Sequence, residues 1–375
     1  MERSINCKIA YGKMVIKFVQ FNYTREVMKM VITRMGDGSF VTMNQEEVFR
    51  DVEEGVADAV KRGKIEPLST DEIEHLVDIC CRPQKFVSVE KGNELILSYD
   101  SATLKITRLG IPIGMPQIMQ LYERAFAADS LELAYVHYSF KPIKSIVPEE
   151  QSVVAETSLV TTAPLFYGAM PNLPLYTQPD GPCANAAELL PKGKIAEARQ
   201  AQEEAVQYAI KDMVFVASGV YEAGADGIDF DTTAAAGDAE FYATLKATEK
   251  LREKYPEMAI EIGMAGEFVL GFHGQLEYDG VRLAGLYPHK QVKLAEKAGA
   301  SIFGAVVNTN SSRSFPWNLG RAVTFCKACV EAANIPVHAN VGMGVGAVPL
   351  VMTPPIDCVS RTSTAMAEVG KLDGL

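Results

Sequence analysis

The chain has 375 residues, a formal net charge of −11 and a hydrophobic fraction of 48%, which is ordinary for a globular protein with a core. An acidic surface repels phosphate backbones, which argues against a nucleic-acid partner, and no stretch approaches the ~20 uninterrupted apolar residues of a membrane span. Seven cysteines without the dense spacing of a disulfide framework fit a reducing compartment, so we expect a cytoplasmic protein.

Residues 1–29 differ from the rest because they hold six basic and two acidic residues within an acidic chain. The stretch YGKMVIKFVQF is interrupted by lysine too often for a signal-peptide core, and no small-residue cleavage site follows it. We expect residues 1–29 to be a non-native extension ahead of a natural start at Met28 or Met30. A short β-rich edge is the alternative.

Residues 30–110 are predicted to form a small N-terminal α+β segment. TRMGDGSFVTM is typical of two strands joined by an Asp-Gly turn. Two helices follow, one with Asn44 as its N-cap and one in which Ser69 and Glu72 form a capping box. The runs KFVSVE, ELILSYD and ATLKITRLG then alternate like the strands of a small sheet.

From about residue 130, apolar strand-like runs alternate with long helical patterns, which predicts βαβ units with right-handed crossovers and a parallel sheet. No Gly-rich dinucleotide fingerprint opens the first unit, which disfavours a Rossmann fold. We predict an α/β fold, a (β/α)8 TIM barrel over residues 111–375 that is incomplete at its C-terminus. The predicted strands are APLFYGAM, DGIDFD, MAIEIGMAG, SIFGAVVNT and IPVHANVGMG, with LELAYVHYSF as a sixth, and the predicted helices lie near residues 193–222, 238–255, 288–299, 317–333 and 357–369.

The predicted strands are too few for a closed barrel, which needs eight. Two or three βα units would be absent, on the order of 60–110 residues at ~30 per unit. The last strand would then expose a bare hydrogen-bonding edge, which is an aggregation liability. We therefore expect the chain to be interrupted after Leu375, and the polypeptide as written to be inactive and poorly soluble.

Polar residues follow the ends of these strands, at the rim where a barrel of this class carries its chemistry. Asp229 and Asp231 lie two apart on one strand, so their side chains share a face. Burial and the like charge would raise the pKa of at least one, which suits acid–base work or cation binding. The alternative is that one caps the next loop and the other accepts backbone hydrogen bonds.

Glu261 lies inside a strand and Glu267 just past it, and a glutamate among Ile and Met is costly without a partner. Either these carboxylates hold an alkylammonium substrate or its proton, or they form buried ion pairs with a lysine or arginine. His273, in a Gly-flanked loop, is either a proton carrier at the rim or a surface imidazole.

The last strand carries His338 and Asn340, again two apart on one face, and Asn308 and Asn310 follow the strand before it. The asparagines offer neutral hydrogen-bonding groups, and His338 is either functional or a satisfied core histidine. The glycines in VGMGVG either admit a large flat group or make a tight turn. The CKAC pair lies in an amphipathic helix without a second zinc half-site. The loop LFYGAMPNLPLYTQPDGP either shapes a hydrophobic mouth, which we favour because it follows a rim position, or only packs against the core.

Several long motifs resemble those of the dimethylamine:corrinoid methyltransferases, the pyrrolysine-containing methylamine methyltransferase family, and the similarity runs from about Met35 to Leu375. The motifs are ERAFAADSLELAYVHYSFKPIKSIV, PLFYGAMPNLPLYTQPDGP, GADGIDFDTTAAAGDAEFYATLKATEKLR, EIGMAGEFVLGFHGQLEYDGVRLAGLYPHKQ, GAVVNTNSS with WNLGRAVTF, and NVGMGVGAVPLVMTPPIDCVSR. The resemblance implies that pyrrolysine, encoded by an in-frame amber codon, directly follows Leu375, and that roughly a hundred further residues close the barrel.

The resemblance also implies transfer of a methyl group from dimethylamine to the Co(I) corrinoid of a partner protein, the first step of methanogenesis from this amine. The corrinoid would arrive on that protein, so we expect no directly bound cofactor and no metal site, and we expect a homo-oligomer. A lyase with a Lys Schiff base is disfavoured because the lysines lie mostly on helices and loops. The other alternative is a truncated, non-catalytic product that only binds the corrinoid protein or the amine. The candidate catalytic residues are Asp229, Asp231, Glu261 and Glu267, and the candidate substrate-binding residues are Asn308, Asn310, His338 and Asn340.

Overall fold

The computed structural model describes residues 30–82, 166–271 and 275–375, together with the backbone of four short strands between residues 103 and 139. Residues 1–29, the predicted strands KFVSVE and ELILSYD, and His273 lie outside the described residues. In the described part, no helix combines the length and the apolar character needed to cross a membrane.

The chain opens with the predicted hairpin, in which β1 (Met30–Arg34) pairs antiparallel with β2 (Phe40–Asn44). Gly38 takes a φ of +90° in the connecting turn, a conformation that is open to glycine but strained for other residues. The Asp-Gly signal therefore predicted this hairpin correctly.

Two capped helices follow the hairpin, α1 (Gln45–Gly63) and α2 (Thr70–Cys81). Each begins with a capping box, in which the side chain of the N-cap, Asn44 or Ser69, accepts a hydrogen bond from the backbone of the third helical residue. Both predicted N-caps are confirmed.

The N-terminal helix α1 packs directly on the C-terminal half of the chain, where it lies against the helix that contains Trp317. A Cβ on Gly55 would lie 2.0 Å from the Trp317 carbonyl oxygen, and a Cβ on Gly320 would lie 2.5 Å from that of Val52. These reciprocal glycines allow the two helix backbones to come into contact. Residues of both segments share one hydrophobic cluster.

Four short strands form two antiparallel pairs, β3 (Thr103–Lys105) with β4 (Pro112–Gly114), and β5 (Leu131–Glu132) with β6 (Tyr138–Ser139). The prediction of LELAYVHYSF as one strand of the parallel sheet is therefore wrong, because the two ends of this stretch pair with each other.

Five of the remaining strands form a parallel sheet in which strands that follow each other in sequence lie side by side, and helices connect them. The other two strands form a separate short hairpin, which lies in sequence between the third and fourth strands of the sheet. All five predicted strands and all five predicted helices of this region are confirmed. The strands are β7 (Phe166–Ala169), β8 (Gly227–Thr233), β9 (Ala259–Met264), the hairpin β10 (Glu277–Tyr278) and β11 (Val281–Arg282), β12 (Ile302–Ala305) and β13 (Val337–Ala339). The helices are α3 (Ala186–Leu189), α4 (Ile195–Glu222), α5 (Asp238–Lys254), α6 (Pro288–Ala298), α7 (Phe315–Ala332) and α8 (Ile356–Glu368).

Alternation along the strands separates an apolar face from a polar one. Ile228 and Phe230 on β8, like Ile260 on β9, are fully buried in a cluster with residues of α4 and α5. The residues between them, Asp229 and Glu261, therefore point to the opposite face. Consecutive right-handed crossovers place the helices on one side of such a sheet, so the polar face corresponds to the inside of an arc. Closure of this arc into an eight-stranded barrel stays a prediction.

The last residues return along the outer edge of β13. The Asp373 N–H donates to the Val337 carbonyl at 2.9 Å, the Asp373 carboxylate accepts from the Val337 N–H at 2.8 Å, and Gly374 forms a parallel bridge with His338. The expectation that β13 would expose a bare edge is therefore wrong in the structure, because α8 turns the chain back onto it.

Candidate functional site

Four of the eight predicted site residues lie together on the polar face of the parallel sheet. Asp229 and Asp231 project from β8, Glu261 projects from β9, and His338 comes from β13 at the far side of the sheet. Asp229 lies directly opposite Glu261 in the strand register. Three carboxylates and one imidazole are thereby held on adjacent parts of the same surface.

His338 and Glu261 form an ion pair in which His338 Nε2 donates to Glu261 Oε1, and both side chains are mostly buried. Burial opposes the charge of the imidazole. The hydrogen bond from Glu261, its negative charge and the charges of Asp229 and Asp231 outweigh that effect and raise the pKa of His338 above its ordinary value. The pair therefore shifts the imidazole towards its protonated form.

Asp229 is the least satisfied of the three carboxylates, because its Oδ1 is buried and has no hydrogen-bond partner. Burial, followed by repulsion from Glu261 and Asp231, raises the pKa of Asp229 to about 7, although the charge of His338 acts in the opposite direction. A carboxyl group with this pKa can take up and release a proton near neutral pH.

Asp231 lies at an irregularity of β8, where the register with β9 shifts between Phe230 and Thr233. Its Oδ1 accepts a 2.6 Å hydrogen bond from the N–H of Thr232, whose φ is +55°. A β-branched residue in the left-handed region is strained, and bulges of this kind re-aim side chains at functional sites. The Asp231 carboxylate thus holds the distorted end of the strand in place.

Glu267 is placed differently from the other three candidate catalytic residues. It is 5% exposed, and its two carboxylate oxygens accept hydrogen bonds from the Arg321 guanidinium on α7. Arg321 Nε also donates to Asp58 on α1 at 2.8 Å. The structure therefore agrees with the ion-pair alternative for Glu267, which links the rim to the N-terminal helices.

Sequence reasoning missed Arg321 and Asp58 as the partners of this carboxylate. Arg321 lies within the motif WNLGRAVTF, on a helix whose first three turns are almost fully buried. A charged residue in such an apolar helix was the signal that could have identified the ion pair.

Two of the three predicted asparagines, Asn308 and Asn310, stabilise loops. The Asn308 side chain accepts from the Glu267 N–H at 3.1 Å, and the Asn310 side chain accepts from the N–H and hydroxyl of Ser312. Asn340 is exposed one residue after β13. The glycines of VGMGVG form a tight turn, in which the Gly342 carbonyl accepts from the N–H three residues later.

The aromatic, Pro-rich loop after β7 lines a cavity of about 150 Å³, bordered by Met170, Leu175, Tyr176 and Met213. This cavity lies on the helix side of β8. Glu240, a residue that sequence reasoning overlooked, fixes the loop, because its carboxylate accepts backbone hydrogen bonds from the loops after β7 and β8.

The two cysteines of CKAC, Cys326 and Cys329, are buried in the core face of α7, where burial raises the pKa of both thiols. Within the described ranges, no three His, Cys, Asp or Glu side chains are grouped so that they could hold a metal ion.

In the carboxylate cluster, three carboxylates face one imidazole, an excess that attracts a small cation and supplies groups for proton transfer.

A family model described as Dimethylamine methyltransferase (Dimeth_PyL) matches residues 29–375. Among solved structures, the homocysteine methyltransferase MmuM from Escherichia coli in its apo form shares 13% identity, with 72% of this chain and 96% of that chain covered and a TM-score of 0.27. The family match spans nearly the whole chain, including every residue of the cluster, so this chain is a methyltransferase that belongs to the dimethylamine methyltransferase family.

Proposed function

We propose that this methyltransferase moves a methyl group from dimethylamine to the Co(I) corrinoid of a partner protein, as the first step of methanogenesis from this amine. The observation that carries the proposal is the convergence of Asp229, Asp231, Glu261 and His338 on one face of the sheet. Family membership supplies the substrate, and the cluster supplies groups suited to a protonated amine.

The first task of the cluster is to receive the substrate as a cation. A secondary amine is protonated at neutral pH, as a lysine side chain is, and its nitrogen lone pair is then blocked by the proton. The carboxylates attract the dialkylammonium ion. Asp229, with a pKa of about 7, accepts the proton on a carboxylate oxygen while the electron pair of the N–H bond stays on nitrogen.

The second task is to stabilise nitrogen as the leaving group. When the C–N bond breaks, its electron pair remains on nitrogen, and the methyl group passes without that pair to the nucleophilic corrinoid that the partner protein would bring. The imidazolium of His338, held by Glu261, is the donor that returns a proton to nitrogen at this stage. Asp231 keeps the end of β8 in the shape that presents Asp229.

We further propose that the corrinoid is carried by the partner protein and that an electrophilic residue follows Leu375. The position of the last residues supports the second point. Gly374 bridges to His338 in parallel, so a residue that continues this edge would enter the sheet beside the carboxylate cluster. Homo-oligomerisation also remains part of the proposal.

The experiment expresses the gene in a host that decodes amber as pyrrolysine and in one that does not. Each product is mixed with dimethylamine and a reduced corrinoid protein, and monomethylamine release and the methyl–cobalt absorbance are measured. We expect methyl transfer only from the longer product. Transfer by the 375-residue chain would contradict the role given to the following residue. Binding of the corrinoid protein by both products without transfer would support the non-catalytic alternative.

A further inference from the structure

The ion pair between Glu261 and His338 spans an intervening strand. Glu261 lies on β9 and His338 on β13, and β12 runs between them. The His338 side chain must pass over Gly304 on β12 to reach Glu261, because Gly304 pairs in register with His338 on one side and with Gly263 of β9 on the other.

Gly304 leaves the space that this crossing needs. A Cβ at this position would lie 2.9 Å from His338 Nε2, closer than real Cβ contacts, and 3.0 Å from Cε1 of the same ring, which is also a tight contact. It would also lie 2.9 Å from the Gly263 Cα. The φ of Gly304 lies outside the left-handed region, so its backbone conformation does not itself require glycine.

We propose that Gly304 is a positioning residue of the methyl-transfer site, because it allows the His338 ring to lie across β12 and pair with Glu261. Gly263 has a related role on β9, where a Cβ would lie 3.2 Å from Asp231 Oδ1 and 3.7 Å from Asp229 Oδ1. The contact at Gly263 is with the end of a flexible side chain, so a methyl group there is more easily accommodated.

The same sheet offers a matched control. Gly168 on β7 pairs in register with Asp229, so it lies on the same face, and a Cβ there would meet nothing within 4 Å. The substitutions Gly168→Ala, Gly263→Ala and Gly304→Ala therefore add one methyl group to one face with increasing interference. A general intolerance of alanine on this face would affect all three.

The first measurement is the pKa of His338, followed in the full chain by NMR of labelled histidine. The sequence contains five histidines, so His338→Gln assigns the signal. We expect Gly304→Ala to lower the pKa of His338 towards that of free histidine, and Gly168→Ala to leave it unchanged. The groups that face the ring are Glu261, Asp229 and Asp231. An unchanged pKa of His338 in folded Gly304→Ala would overturn the proposal.

Gly304→Ala could also destabilise the fold by contact with Gly263 alone, and a stability cycle separates the two causes. Gly304→Ala is combined with His338→Ala, which removes the ring that the new methyl group would meet. We expect His338→Ala to restore part of the stability that Gly304→Ala loses. Strictly additive losses would show that strand packing alone demands glycine, and would reject the positioning role even if Gly304→Ala barely folds.

The kinetic measurement rests on the proposed function, whereas the NMR and stability measurements do not. Displacement of the imidazolium from its position should lower kcat/KM for dimethylamine by about a hundredfold. In a Glu261→Gln background, which already lacks the charged pair, Gly304→Ala should have little further effect. An equal kinetic loss in both backgrounds would contradict the proposal. Absence of methyl transfer by the unsubstituted full-length protein would count against the proposed function instead.

Discussion

Asp229 on β8 and Glu261 on β9 lie directly opposite each other, with both carboxylates on the face of the sheet that points away from the helices. Two negative charges that face each other on neighbouring strands repel, so at least one of the two carboxylates needs a compensating partner or a proton. Glu261 is compensated by His338, while one oxygen of Asp229 has no hydrogen-bond partner. The pair thus divides into a charge-compensated carboxylate and a proton-accepting one.

The pKa of about 7 for Asp229 makes stability depend on pH. Its pKa is raised on folding, so its contribution favours the folded state below the unfolded pKa near 4 and is lost as pH rises through 7. Asp229→Asn removes the charge, and we expect it to increase the free energy of unfolding at pH 8.5 by about 2 kcal/mol. This is about half of the full conversion of the shift, because solvent reaches the face.

Urea unfolding at pH 4, 7 and 8.5 measures this difference. Near pH 4 the two proteins should have similar stability. The matched control is Asp180→Asn, at an exposed aspartate, which should change little at any pH. Greater stability of the unsubstituted protein at pH 8.5 would show that the Asp229 carboxylate is well solvated or paired.

The stabilisation from His338 should likewise be lost as pH rises, although here the charged form is the stabilised one. Its pKa is raised on folding by Glu261 and the neighbouring aspartates, so its stabilisation is fully present below pH 6.5 and is lost as pH rises through its pKa in the folded protein. We expect His338→Gln to lower the free energy of unfolding by about 2 kcal/mol at pH 6, and by less at pH 9.

The control for this variant is His75→Gln, because His75 also pairs with a glutamate, Glu368, but is about two-fifths exposed. Its loss should not exceed ~1 kcal/mol. Chemical denaturation of both variants at the two pH values provides the comparison. A loss in His338→Gln that grows with pH would mean that the imidazole is buried in its neutral form.

The sequence predicted the polar face correctly because a strand has a period of two. In DGIDFD, Asp229 and Asp231 alternate with Ile228 and Phe230, and in MAIEIGMAG Glu261 alternates with isoleucines in the same way. Burial of the isoleucines and phenylalanine against helices therefore determines where the carboxylates point. The helices were equally predictable, because their caps and apolar spacing are local signals.

The pairings across the sheet were not predictable in this way. The His338–Glu261 contact depends on strand order, on register and on the missing side chain at Gly304, none of which a single strand reveals. The same holds for Glu267, whose partner Arg321 is 54 residues away in sequence. Residue type indicated that these groups needed partners, but only the fold determines which ones.

The buried ion pair between Glu267 and Arg321 should contribute mainly to the free energy of unfolding. Glu267→Gln leaves the largely buried Arg321 guanidinium with Asp58 as its carboxylate partner. We expect the free energy of unfolding to fall by about 3 kcal/mol, because breaking a buried pair leaves a charge uncompensated.

Denaturant titration of Glu267→Gln tests this, with Glu197→Gln as the control. Glu197 pairs with Lys194 on the exposed surface of α4 at 2.9 Å, and its loss should cost less than ~0.5 kcal/mol. Equal, small effects of the two substitutions would indicate that Arg321 finds another anion. A full loss of activity with unchanged stability would instead return Glu267 to the catalytic residues.

Two helical glycines should respond to alanine with opposite changes in stability, because only one of them lies at the contact between α1 and α7. Gly55→Ala would place a methyl group 2.0 Å from the Trp317 carbonyl, so the two helices must separate, and we expect a loss of about 3 kcal/mol. Gly219 on α4 has nothing within 4 Å of its potential Cβ, so Gly219→Ala should gain about 0.5–1 kcal/mol from helix propensity. Thermal unfolding of the two variants measures both. Stabilisation by both substitutions would show that α1 does not pack on α7 through Gly55.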